Sequence, residues 1–129
     1  MSATRSFPAI ESLGFLSDGV VTALVAPDGA VEWMCLPRMD GPSIFGAMLD
    51  RDAGRFNISP QGQRVPAGRR YLPGTNILET TWATKTGWVT VVDSLLIGPW
   101  HHDKDRSSTH RRSPTDTDAD HVLLRMIHC

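Results

Sequence analysis

Thr22-Ala23-Leu24-Val25-Ala26, then Pro27-Asp28-Gly29, then Ala30-Val31-Glu32-Trp33-Met34-Cys35-Leu36 reads as two β-forming runs parted by a turn tripeptide. Pro27 presets φ for the first central turn position, Asp28 tolerates the second, and Gly29 supplies the positive φ that closes a bulged hairpin. Alternation puts Val31, Trp33 and Cys35 on one face and Glu32, Met34 and Leu36 on the other. Both faces are largely apolar, so the strand is expected to be covered on two sides. A second hairpin follows the same logic: Ile77 to Ala83, a turn at Thr84-Lys85-Thr86-Gly87, and Trp88 to Leu95. Its threonines, valines and tryptophans are β-formers, and Trp82 is expected to meet Trp88 across the ladder.

Outward from these hairpins, Gly54 to Ser59 is a shorter strand candidate and Ser43 to Leu49 the one plausible helical turn. Eleven glycines and nine prolines punctuate the short strands. The expected fold is all-β, an antiparallel β-sandwich, with a long polar loop near the C-terminus. That loop runs over 101–121, where Ala119 is the only aliphatic side chain; it cannot bury enough apolar area to offset its ordering entropy and is expected to be mobile. Val122 to Cys129 is apolar again and predicts a strand in which the chain stops, so the sandwich is expected to be incomplete.

The chain has 129 residues, which at roughly 100 to 200 residues per domain is one domain. Thirteen basic and 14 acidic residues give a net charge of −1, so no global field favours nucleic acid or an anionic membrane. No apolar run spans a bilayer, no secretory leader opens the chain, and Cys35 and Cys129 form no disulfide framework. A cytoplasmic location is the simplest expectation.

Glycoside hydrolysis needs two carboxyl groups flanking the scissile bond. Glutamate is scarce here: Glu11, Glu32 and Glu79 only. Glu32 and Glu79 lie within strands, where an outward-facing solvated or paired residue is expected, and neither is assigned as a catalyst. The eleven aspartates fall mostly in turns or in the polar loop. His101, His102, Asp103 and His110 bear ligand-type side chains, but their spacing fixes no two on one face, and a solvated loop is favoured over a metal site. No catalytic residue and no metal ligand are therefore named. A less bland segment starts at Trp33, where a strand runs into a loop bracketed by Pro37 and Pro42 that presents Arg38 and Asp40 in fixed relation. Trp33, Arg38 and Asp40 are the candidate contacts to sugar hydroxyls or to another domain, set against an internal Arg38–Asp40 brace.

At these residues the sequence resembles glycoside hydrolase family 15, in its trehalase-like branch. Ser17-Asp18-Gly19-Val20-Val21-Thr22-Ala23-Leu24-Val25, the run from Pro27-Asp28-Gly29 to Asp40-Gly41-Pro42, and Gly54-Arg55-Phe56 are similar to that family's opening. Arg69-Arg70-Tyr71, Asn76 to Trp82, Val89 to Asp93 and Leu124-Arg125-Met126-Ile127 follow in the family's order. Glu32 stands where the family has Asp, Met39 where it has Phe, and Gly41 where it has Ser. The resemblance implies the N-terminal β-sandwich domain, over 1–129, of a trehalase-like hydrolase acting on trehalose or a related α-glucoside. It also implies that the catalytic glutamates lie in a later helical barrel, absent here, which would be this domain's partner in cis alongside a small carbohydrate substrate. Phosphate and magnesium are implied for such a full-length enzyme, and none of its catalytic positions has a match in this chain. The alternative is a stand-alone β-sandwich interaction or carbohydrate-binding module.

Overall fold

The computed structural model describes residues 6–97 and 121–129. Nine strands follow a single 3-10 turn at Ile10–Ser12, and the described residues contain no α-helix. The strands are β1 (Gly14–Ser17), β2 (Thr22–Val25), β3 (Ala30–Cys35), β4 (Ser43–Phe45), β5 (Phe56–Asn57), β6 (Gly68–Tyr71), β7 (Leu78–Ala83), β8 (Trp88–Leu95) and β9 (Leu123–His128). One sheet runs β1-β2-β3-β4, with β5 also paired to β3; the other runs β6-β7-β8-β9. Every pairing is antiparallel. The fold is thus the expected all-β sandwich of two sheets. No helix among the described residues is long and apolar enough to cross a membrane.

The first hairpin forms as its turn chemistry dictates. Gly29 takes φ +82° and its N–H donates to Ala26 O at 3.0 Å, while Asp28 Oδ1 accepts from the Ala30 N–H. Strict alternation, however, fails inside β3. Leu24 pairs with Trp33 and Val25 with Val31, so Glu32 is the extra residue of a β-bulge. The bulge resets the faces: Val31 and Met34 both enter the core, and Trp33 lies half-buried opposite Leu24 on the other side. The expected grouping of Val31 with Trp33 and Cys35 is corrected accordingly.

Leu16, Val21, Ala23, Val25, Val31 and Met34 from one sheet meet Leu78 and Leu95 from the other to make the core. Polar groups staple the same interface. Arg69 on β6 donates to Ser12 O at 2.6 Å and to Val25 O at 2.8 Å, and Tyr71 Oη accepts from the Phe15 N–H at 2.8 Å. Burial pushes the Arg69 guanidinium below its ordinary range, partly opposed by the field of Tyr71, Asp93 and Asp28. Arg125 on β9 holds Asp93 and reaches across to Gly29 O at 2.7 Å and Phe56 O at 2.8 Å.

Three further expectations change. Ser43–Phe45 is a strand, and only Gly46 to Asp50 closes a hydrogen-bonded turn, because pairing with Met34 and Cys35 outweighs the local helical preference. Trp82 pairs with Val89 and Trp88 with Ala83, so the two tryptophans occupy opposite faces: Trp82 is fully buried and Trp88 is 64% exposed. Trp88→Thr is expected to leave stability within about 0.5 kcal/mol, checked by urea denaturation, since it removes no core contact. The expected polar loop, with His101, His102, Asp103 and His110, lies outside the described residues, except for His121. That histidine belongs to the body: its side chain is buried and its Nδ1 sits 2.6 Å from Asp18 Oδ2.

Candidate functional site

The turn at Asp28 and the bulge at Glu32 open onto a polar cleft. A bulge points a side chain that regular pleating would send elsewhere, and here it aims Glu32 at the segment after β4. That segment supplies Arg51, whose Nη1 donates to Glu32 Oε2 and, at 2.7 Å, to Ala47 O, and whose Nη2 donates to Glu32 Oε1 at 2.8 Å. The pair is a bidentate fork, and the Glu32 side chain is 1% exposed. Arg55 stands 3.6 Å from Glu32 Oε1 and donates to Asp28 Oδ2 at 3.2 Å. The hydrogen bond to Glu32 raises the Arg51 pKa above its ordinary value, against the opposing effect of burial. The expectation for Glu32 is therefore half right: it is paired, but buried instead of solvated.

Glu32→Gln is expected to cost about 2 kcal/mol, because a charge-assisted pair becomes a weaker one and two guanidiniums lose their counter-charge. The loss is held to that size by Arg51's remaining bond to Ala47 O. Thermal or urea unfolding of the variant measures it.

Beside this pair lies a compartment of about 200 Å³, and a second of about 300 Å³ shares residues with it. Both are lined by Asp28, Arg55 and Arg64. One wall is pre-set by Asn57, whose amide donates to Asp28 O at 2.8 Å and whose Oδ1 accepts from Ser59 at 2.9 Å. The carboxylates in this cleft are occupied by guanidinium and backbone donors, so they present no open acid and base pair to a glycosidic bond. No three His, Cys, Asp or Glu side chains among the described residues come together as a metal site.

The candidate residues of the 33–40 segment are placed differently. Arg38 Nη2 donates to Asp40 Oδ2 at 2.9 Å, with both side chains well exposed. The loop is closed by the Gly41 N–H on Arg38 O at 2.9 Å and the Leu36 N–H on Pro42 O at 3.2 Å, and the Leu36–Pro37 bond is cis. Trp33 is half-buried in β3 and faces its partner Leu24. The internal Arg38–Asp40 pair thus forms, while the charged cleft at Glu32 is built from residues that strand reading set aside. The available signal was a glutamate inside an apolar strand with two arginines, Arg51 and Arg55, one helical turn apart in sequence.

The family described as "Trehalase-like, N-terminal" matches residues 3–112. The chain is 58% identical over 123 residues to a trehalase of Mycolicibacterium smegmatis and 56% identical over 123 residues to a trehalase of Mycobacterium tuberculosis. Each alignment covers 95% of this chain and 18% of the relative. A protein named Trehalase 1 from Sulfolobus acidocaldarius is 38% identical over 89 residues, 69% of this chain and 16% of its own length. No solved structure matches the chain significantly. The chain spans less than a fifth of the length of these relatives, and what it does span is their N-terminal portion. A match of this extent has one meaning: the chain belongs to the trehalase-like N-terminal domain family.

Proposed function

We propose that this chain is the N-terminal, non-catalytic part of an α,α-trehalase-like glycoside hydrolase, acting on trehalose or a related α-glucoside through a catalytic domain outside these residues. The observation that carries the reading is coverage: 95% of this chain aligns with only 18% of a trehalase. The chemistry of the described residues agrees with it, because Asp93 and Asp18 are buried against Arg125 and His121, and Glu32 against Arg51. The catalytic domain is a helical barrel in cis, as the resemblance to family 15 implies, and the exposed Arg38–Asp40 loop with Trp33 contacts that domain or its sugar. The location is cytoplasmic, a reading supported by two free cysteines, Cys35 and Cys129.

The purified 129-residue chain is expected to release no glucose from trehalose, with or without phosphate and magnesium. Measurable turnover would overturn the non-catalytic reading. In a longer protein that carries the catalytic domain, Arg38→Ala is expected to lower activity with an unchanged melting temperature. A fall in melting temperature alone makes the loop a brace.

A further inference from the structure

The polar cleft has a surplus that neither the fold nor the proposed role uses. Its carboxylates are each engaged: Asp28 Oδ1 by the Ala30 N–H, Asp28 Oδ2 by Arg55, and both Glu32 oxygens by Arg51. Its donors are not. Among the described residues Arg55 uses only Nη1, Arg64 makes no hydrogen bond or ion pair, and the buried Nε of Arg51 has no partner. Three guanidiniums face two carboxylates, an excess of one positive charge in a cleft whose floor is the buried Glu32–Arg51 pair.

We propose that this cleft is a binding site for an oxyanion, held chiefly by Arg64 and Arg55 with the polar 57–63 wall beside them. A guanidinium carries five N–H donors in a rigid fork that matches carboxylate and tetrahedral oxyanions, and it carries no acceptor. A neutral sugar is a poorer match, since its hydroxyls gain nothing from the excess positive charge. A metal cation is repelled by the excess charge. Asp28 and Glu32 pre-orient Arg55, so little side-chain freedom is lost when the anion arrives. The 300 Å³ compartment admits a small anion with part of its hydration shell, and its open side equally admits an acidic side chain carried by a polypeptide.

The test uses the 129-residue chain, followed by amide NMR shifts and by melting temperature, with sulfate, inorganic phosphate and acetate titrated separately at constant ionic strength against chloride. Saturable shifts confined to residues around 28, 55 and 57–64, with a rise in melting temperature, are expected for at least one probe. A stronger response to sulfate or phosphate identifies a free tetrahedral oxyanion as the ligand, and a stronger response to acetate identifies a carboxylate. Arg64→Ala is expected to weaken binding about tenfold, the loss of one charge-assisted contact. Arg64→Lys should fall between wild type and Ala, because it keeps the charge and loses the fork. Lys85→Ala, a cation outside the cleft, should leave binding within about twofold. The proposal is overturned if all three probes act no differently from chloride, or if Arg64→Ala binds as wild type does. Neither result bears on whether the longer protein hydrolyses trehalose.

Discussion

Arg125→Ala is expected to destabilise the domain by about 3–5 kcal/mol, a large part of the roughly 5–15 kcal/mol that a domain of this size commands. The Arg125 and Asp93 side chains are 2% and 1% exposed, and their two hydrogen bonds measure 2.7 and 3.1 Å. Removing the guanidinium strands a carboxylate in the core. It also leaves the Gly29 and Phe56 carbonyls without the donor that ties them to the opposite sheet, and it uncovers the Phe56 ring, 4.9 Å from the guanidinium carbon. Urea denaturation with the slope held constant reads the change as a lower midpoint. Arg125→Lys separates the two effects: it keeps a charge beside Asp93 but cannot span Asp93, Gly29 and Phe56 together, and it should cost about 1–2 kcal/mol. The double variant Asp93→Leu with Arg125→Met should be more stable than Arg125→Ala, because no buried charge is left alone. If Arg125→Ala cost less than about 1 kcal/mol, the interface would be held by its apolar contacts alone.

The reason these staples were hard to read from sequence is physical. Hairpins are local: Pro27-Asp28-Gly29 and the 84–87 turn, with β-formers on either side, determine β2, β3, β7 and β8 over a few residues, and these form as expected. The site is not local. Arg125 meets Gly29 across 96 residues of sequence and Arg69 meets Ser12 across 57, and nothing in either neighbourhood marks which carbonyl will be in reach. Glu32 shows the same limit in a different form. Period-two reading placed it on a strand face, but a single extra residue at the bulge turned it toward Arg51 and moved Trp33 off the core face. Bulges depend on cross-strand register, which alternation within one strand does not contain. His121 ends the 101–121 tract, whose polar composition predicts a mobile loop. Its partner Asp18 is 103 residues away, in a turn where Oδ1 caps the Val20 and Val21 N–H groups and Oδ2 is left for the imidazole. By contrast Arg38 and Asp40 are two residues apart, and their mutual pair was legible for that reason.

Gly29→Ala should cost about 3 kcal/mol or more, although it adds one methyl group to a turn. Two terms contribute. At φ +82° an alanine lies in the left-handed region, which costs an L-residue about 1–2 kcal/mol. The added carbon would also overlap the Ile58 carbonyl and come within 3.1 Å of the Trp82 ring, and neither can retreat easily: one is backbone and the other belongs to a fully buried indole. Relieving that overlap by a backbone shift adds about 1–3 kcal/mol, the usual cost of overpacking. Gly62→Ala isolates the first term, because Gly62 takes φ +76° with open space where the methyl would go, so it should cost only about 1–2 kcal/mol. Equal losses at the two glycines would mean that Trp82 and the 58–59 segment yield, and that the close approach between the sheets is not rigid. The same shift moves the Gly29 carbonyl, which accepts from Arg125 and from the Ile58 N–H. Gly29→Ala combined with Arg125→Ala should therefore fall short of the sum of the single losses by about 1–2 kcal/mol, as expected for sites that share a contact. Full additivity would place the Gly29 strain wholly in the turn; a shortfall shows that the hairpin's decisive glycine is needed for its carbonyl's position between the sheets as much as for its φ.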